Sequence, residues 1–192
     1  MVTPERVAAV LLAAGQSRRF GQSDKMLLQL GGQPMVMHAA QMLSMFGLGR
    51  LFAVCPLDGD AAVDLVSAKG FTCIRTTQRD GDLSHSLATG VRAVAALPDV
   101  SAILICLADM PFVTSQHIQR LLDAHDGGPT SIIASSDGGT SMPPALFGRT
   151  HFEALMSLEG DAGARALLTM AKLVHADSAI LKDIDRIEDL PG

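Results

Sequence analysis

The sequence predicts an α/β fold: a single three-layer domain with a mostly parallel central sheet between helices. Three observations predict it. Unbroken apolar runs at Val7–Leu12, Leu51–Cys55 and Ala102–Ala108 suit strands buried on both faces, as strands of a parallel sheet are. Segments with helical spacing separate the runs, and strand–helix alternation implies right-handed crossovers. The chain has 192 residues, 48% of them hydrophobic, enough for one sizeable core.

Taken in order, Val7–Leu12 is the first strand and runs into a small-residue, glycine-rich turn. Met26–Leu30 is a short extended piece before the Gly31–Pro34 turn. Pro34 stands where a helix begins and its missing N–H costs least. That helix runs from about Met35 to Phe46, with Val36, Ala39, Ala40, Leu43 and Phe46 on one face. Its methionines are core filling. Leu51–Cys55 is the second strand, Asp60–Ala68 a helix stopped by Gly70, and Phe71–Ile74 a third strand. A polar stretch, Thr76–Ser86, opens a helix to about Leu97. There Ser84 is an N-cap, His85 a solvated loop residue, and Ser84 and Ser86 either only cap or also touch a ligand. Ala102–Ala108 is the most apolar strand. Thr114 or Ser115 caps the next helix, and Ser131–Ala134 with Ser136–Thr140 reads as strand and hairpin turn. Met142–Phe147 stays extended because residues before proline avoid the helical region. A helix follows from about Thr150 to Leu158, a loop and helix start at Gly160–Leu168, and a last extended segment at Ala179–Asp185.

The chemistry concentrates at strand ends. Ala13, Ala14 and Gly15 let a ligand approach the backbone, Ser17 adds a hydroxyl, and Arg18, Arg19 and Lys25 add positive charge. Backbone N–H groups in a turn plus cations make an anion site. The spacing matches neither the P-loop nor G-x-G-x-x-G. Asp109 leaves the apolar strand at the carboxyl edge of the sheet, where ligands of open parallel sheets bind. Its desolvation would be relieved by Mg2+ held between the carboxylate and phosphate oxygens; the alternative is that Asp109 only caps the turn before Pro111.

Composition excludes other classes. The net charge of −5, with no Trp and no Tyr, argues against a nucleic-acid surface or stacking platform. No run is long enough to span a membrane and no signal pattern opens the chain, so a cytoplasmic protein is expected. Cys55, Cys73 and Cys106 lack metal or redox spacing and read as structural thiols in a reducing compartment.

Leu12-Ala13-Ala14-Gly15-x-Ser17-x-Arg19-x-Gly21 with the following Lys25 resembles the signature loop of the molybdenum cofactor cytidylyl- and guanylyltransferases. These are nucleotidyltransferases with a Rossmann-like domain of the nucleotide-diphospho-sugar transferase type. The resemblance extends over nearly the whole chain. It implies that Leu12 to Gly21, Arg18 included, wraps the nucleotide triphosphate, with Arg19 and Lys25 as its phosphate-contacting cations. Leu107-Ala108-Asp109-Met110-Pro111 resembles the second motif, which implies that Asp109 binds the metal. Ser86 and Leu87 match the polar loop near the nucleotide base, although the glycine that precedes them in relatives is displaced to Gly81. Gly160-Asp161-x-Gly163-Ala164-Arg165 with the Pro144 segment resembles the third motif, placing Pro144, Asp161, Gly163 and Arg165 at the acceptor. The alternative at Asp161 is a plain helix cap. Asp185 takes the position of a second metal contact; the alternative is that Asp183 and Asp185 point outward from an edge strand as surface charges. Residues 1–112 would then form mainly the nucleotide-binding half and residues 113–192 mainly the acceptor-binding half.

The implied activity is Mg2+-dependent transfer of a nucleotidyl group to the phosphate of a molybdopterin-type cofactor, with Arg19, Lys25 and Asp109 catalytic and pyrophosphate released. The Leu-Ala-Ala-Gly form looks more like the cytidylyl group and favours CTP; Asp24 before Lys25 also occurs in the guanylyl group, keeping GTP. A sugar-phosphate acceptor or a non-catalytic nucleotide-binding regulatory protein are the alternatives. The resemblance further implies hand-over of product to an acceptor molybdoenzyme or its chaperone.

Overall fold

The structure is a computed structural model, describing residues 1–14, 25–76, 83–158, 160 and 163–189. Its strands are β1 (Val7–Leu12), β2 (Gln29–Leu30), β3 (Gln33–Pro34), β4 (Arg50–Cys55), β5 (Thr72–Arg75), β6 (Ala102–Leu107), β7 (Ile132–Ser136), β8 (Ser141–Gly148) and β9 (Lys172–His175). Its α-helices are α1 (Met35–Ser44), α2 (Asp60–Ser67), α3 (Leu83–Ala95), α4 (Ser115–Ala124), α5 (Phe152–Met156) and α6 (Gly163–Leu168). Seven strands form one sheet in the order β5-β4-β1-β6-β8-β7-β9, while β2 and β3 make a separate small hairpin. β5, β4, β1 and β6 are mutually parallel, β8 is antiparallel to both β6 and β7, and β9 pairs parallel with β7.

Every residue of β1 is buried, because alternate side chains enter two different cores. Ala9 and Leu11 pack with α1, α2 and α4 through Leu43, Val66 and Ile118. Ala8 and Val10 pack with α3, α5 and α6 through Val91, Leu155 and Leu168. This is the expected three-layer arrangement, and it accounts for the unbroken apolar runs. The helix α3 lies so close to the sheet that a Cβ on Gly90 would stand 2.5 Å from Val10 Cγ1.

The parallel block positions the site. The amide of Ala13 donates to Val54 O and that of Ala108 to Leu12 O, extending both ladders one residue beyond β1 and β6. The Ala13 end and Asp109 therefore leave adjacent strands at the same edge of the sheet.

Four expectations are corrected. Residues 179–185 form no strand: they turn and run irregularly, with Leu181 and Ile184 buried three residues apart. The outermost strand is instead β9, which the sequence does not announce because only Val174 of its four residues is buried. Ser84 lies inside α3 and is buried there, so it is not the N-cap, and His85 is helical too. The helix expected over 150–158 is a 3-10 turn at Arg149–His151 followed by the short α5. Thr114 does cap α4, its hydroxyl accepting from the His117 amide.

Candidate active site

Three segments distant in sequence meet at the carboxyl edge of the sheet. Lys25, in a 3-10 turn at Lys25–Leu27, is buried, with only 5% of its side chain exposed. Its Nζ donates to Asp109 Oδ2 at 2.9 Å and to Asp185 Oδ1 at 3.0 Å. Burial pulls the Lys25 pKa down, but the opposing charge and hydrogen bonds of Asp109, joined by those of Asp185, more than reverse this and hold it above the ordinary lysine value. The ammonium is therefore charged at any physiological pH.

The backbone sets both carboxylates. Asp109 follows β6, and its carbonyl accepts from the Ile184 amide at 2.8 Å, pinning the tail segment beside the strand end. Asp189 Oδ2 accepts from the amides of Asp185 and Arg186, fixing the turn that aims Asp185 at Lys25. None of these bonds is legible in the hydrophobic pattern, which is why the tail read as an extended segment. The outward-facing alternative for Asp185 does not hold: its side chain is half-exposed but engaged with Lys25. Asp183, singled out in sequence only as a surface charge, faces the same field. Burial, then the charges of Asp185 and Asp109, raise its pKa.

Beside this centre opens a cavity of about 520 Å³, lined by Leu107, Met110, Met142, Pro143, Lys182 and Asp183 among others. Pro143 and Leu107 also wall a small apolar cleft of about 40 Å³ on the other side, toward Leu12 and Leu87. Sequence reasoning did not find Met110, Met142, Lys182 or Asp183 as cavity residues. No local motif marks them, since they converge from three separate segments.

Of the residues singled out in sequence, the structure brings together Lys25, Asp109 and Asp185 in one cluster, and Leu12 and Leu87 at the small cleft. The side chains of Leu12 and Ala13 are core, Ala14 is half-buried, and Ser86 is buried on α3. Pro144 is buried, with its neighbour Pro143 on the cavity wall. Gly163 and Arg165 lie on α6. Gly15, Ser17, Arg18, Arg19, Gly21 and Asp161 fall outside the described residues.

The donor set fits magnesium. Asp109 Oδ1 is buried and accepts no hydrogen bond among the described residues, and Asp185 supplies a second carboxylate nearby. Among the described residues no group of three or more metal-ligating side chains forms. A hard cation with two carboxylates, its other positions taken by phosphate and water, is the magnesium pattern. Among the described residues no helix is long and apolar enough to cross a membrane.

The chain is thus a three-layer α/β domain with a buried lysine held between two carboxylates at the carboxyl edge of its sheet. The chain belongs to the MobA-like NTP transferase domain family, which it matches over residues 9–177. It is 30% identical to the purine catabolism protein PucB of Bacillus subtilis (strain 168), across 94% of this chain and 92% of that protein. It is 25% identical to the nicotine blue oxidoreductase of Paenarthrobacter nicotinovorans, across 96% of this chain and 94% of that protein. It is 32% identical to the molybdenum cofactor guanylyltransferase of Mesorhizobium japonicum (strain LMG 29417 / CECT 9101 / MAFF 303099), across 71% of this chain and 64% of that protein. The crystal structure of Rv0371c from Mycobacterium tuberculosis H37Rv shares the fold, with a TM-score of 0.79 at 24% identity over 98% of this chain and 96% of that one.

Proposed function

We propose that the chain transfers a nucleotidyl group, CMP from CTP in first place, to the terminal phosphate of a molybdopterin-type cofactor and releases pyrophosphate. The observation that carries this is the Lys25–Asp109–Asp185 cluster at the sheet edge, beside the orphaned Asp109 Oδ1. The name of the Mesorhizobium relative supports the acceptor class, and the Leu12-Ala13-Ala14-Gly15 form supports the cytidylyl donor.

In this reading Arg19 and the backbone of Ala13 to Ser17 hold the triphosphate. The acceptor's phosphate oxygen attacks the α-phosphorus, a new P–O bond forms, the α–β bridge breaks, and pyrophosphate leaves. The acceptor phosphate is already ionised, so no strong base is needed, and positioning with charge neutralisation supplies most of the rate. Lys25 places a permanent positive charge where phosphoryl oxygens gather negative charge. Asp109 and Asp185 would hold Mg2+, which when bound neutralises the triphosphate and eases departure of pyrophosphate. The cavity lined by Met110, Met142 and Pro143 takes the acceptor: these apolar side chains suit a fused heterocycle, and Lys182 in the same lining offers a positive charge to its phosphate.

A GTP-using enzyme is the second reading, favoured by the guanylyltransferase relative. The test is incubation with each of the four NTPs, Mg2+ and molybdopterin, with pyrophosphate release as readout. CTP-dependent release confirms the first reading and GTP-dependent release the second. Thermal stabilisation by NTP without pyrophosphate identifies a binding protein instead. Asp109→Ala is expected to lower turnover by about 10²–10³-fold with the fold intact.

A further inference from the structure

Two consecutive prolines lie in β8, an interior strand, where neither can donate to a ladder. The register shows how the sheet accommodates them. Ala134 of β7 pairs with Ala145, but the next residue, Ser135, pairs with Met142. Pro143 and Pro144 are thus two extra residues looped out of the β7–β8 ladder, and they also lie beyond the last β6–β8 pair, Ile105 with Ala145. This bulge stands at the sheet edge, where Pro143 separates the 520 Å³ cavity from the small cleft toward Leu12 and Leu87.

A buried side-chain relay holds it. Ser135 Oγ donates to Pro144 O at 2.7 Å, satisfying a carbonyl that the looped-out backbone leaves off the ladder. With its one proton committed, Ser135 Oγ must accept from His117 Nε2, 2.8 Å away, so His117 carries its proton on Nε2. His117 is 1% exposed and Ser135 fully buried. His117 Nδ1 has no partner among the described residues, consistent with a neutral ring whose pKa is lowered by burial and by Arg120. The relay joins α4, β7 and β8 and, among the described residues, ends at the bulge.

We infer that His117 and Ser135 are positioning residues: their hydrogen-bond relay to the Pro144 carbonyl sets the Pro143 wall and thereby the fit of the acceptor heterocycle. They touch no substrate. The inference rests on the proposed reaction for its kinetic consequence, but not for the geometry.

The experiment has two arms. In steady-state kinetics with NTP, Mg2+ and molybdopterin, Ser135→Ala is expected to raise the acceptor KM about tenfold, since a wall displaced by an ångström misplaces the acceptor. The kcat and the NTP KM should stay within about twofold of the starting protein. His117→Gln, which keeps an N–H near the same point, should restore near-normal acceptor KM, whereas His117→Leu should raise it. An unchanged acceptor KM in Ser135→Ala, or an equal loss in all three parameters, overturns the inference. The second arm is a crystal structure of Ser135→Ala, which needs no turnover. Pro143 shifted relative to Leu107 supports the relay, and an unmoved bulge refutes it. Absence of turnover in the unmodified chain sinks the proposed function alone, because the crystallographic arm still decides the relay.

Discussion

Removing the Lys25 ammonium tests whether the cluster is an energetic unit or only a set of short distances. Lys25→Met keeps most of the stem's packing and deletes the charge. Breaking a buried pair leaves its partner uncompensated at a cost of about 3–5 kcal/mol when burial is complete. Asp109 retains 23% of its side-chain exposure and can turn partly to water, which reduces this to about 2 kcal/mol. Asp185, 49% exposed, adds only about 0.5 kcal/mol after solvent screening. The relief of Lys25 desolvation is already contained in that net cost. The loss is about 2–3 kcal/mol, or about 5–10 °C in Tm for a chain of this size. Asp109→Asn should cost about as much, because it leaves Lys25 buried with one exposed partner. The two should not add: urea unfolding of both single variants and the double variant should give a coupling energy of about 1–2 kcal/mol. The sign with pH follows from the raised Lys25 pKa. The contribution is fully present below the ordinary lysine value of 10.5 and is lost only as pH rises through the higher folded value. The coupling should therefore be flat between about pH 7 and 9. A coupling below about 0.3 kcal/mol, or a Lys25→Met variant more stable than its parent, refutes the argument.

Three other outcomes are expected. Asp183→Asn should raise Tm near neutrality: burial and the Asp185 and Asp109 charges raise its pKa, so the ionised form opposes folding above the ordinary carboxylate range, and the gain should shrink as pH falls toward 4. Arg149 donates to the carbonyls of Ala95, Leu97 and Val100 at the end of α3, and lies beside the amino end of β6, opposite Lys25. Arg149→Met should thus cost about 2–3 kcal/mol in urea unfolding while leaving substrate KM values unchanged. At pH 8 the native chain should present one thiol, the half-buried Cys73, to a maleimide, against three after denaturation; Cys55 is fully buried, and burial pushes the Cys106 thiol up to about 12.

How far the sequence reached depended on how local the cause was. β1 and β6 were legible because burial on both faces leaves an apolar run that little else produces. β9 was not, since an outer strand with one buried residue in four looks like any polar stretch. The 179–185 segment failed in the opposite sense. Its apolar residues mimic a strand, but Leu181 and Ile184 anchor an irregular tail whose one backbone bond to β6's end goes to Asp109 O.

The site divides on the same line. The chain leaves β1 toward Lys25 at the sheet edge where β6 delivers Asp109, so parallel topology prepares their meeting. Asp185 owes its place to Asp189, four residues on, whose carboxylate collects two backbone amides, a bond invisible to any hydrophobic pattern. The acceptor cavity is harder still. Its walls come from β6, the turn after it, the β8 bulge and the tail, and no single stretch carries a signature of the whole. The bulge itself was half-visible: Pro143-Pro144 forbids a regular interior strand, so an irregularity there is required. Which way the chain loops, and against what, is decided by a serine and a histidine on two other elements. Charge that must be neutralised at a strand end can be read from one dimension. The shape that chooses an acceptor is set by side chains meeting across the fold, and only the structure displays it.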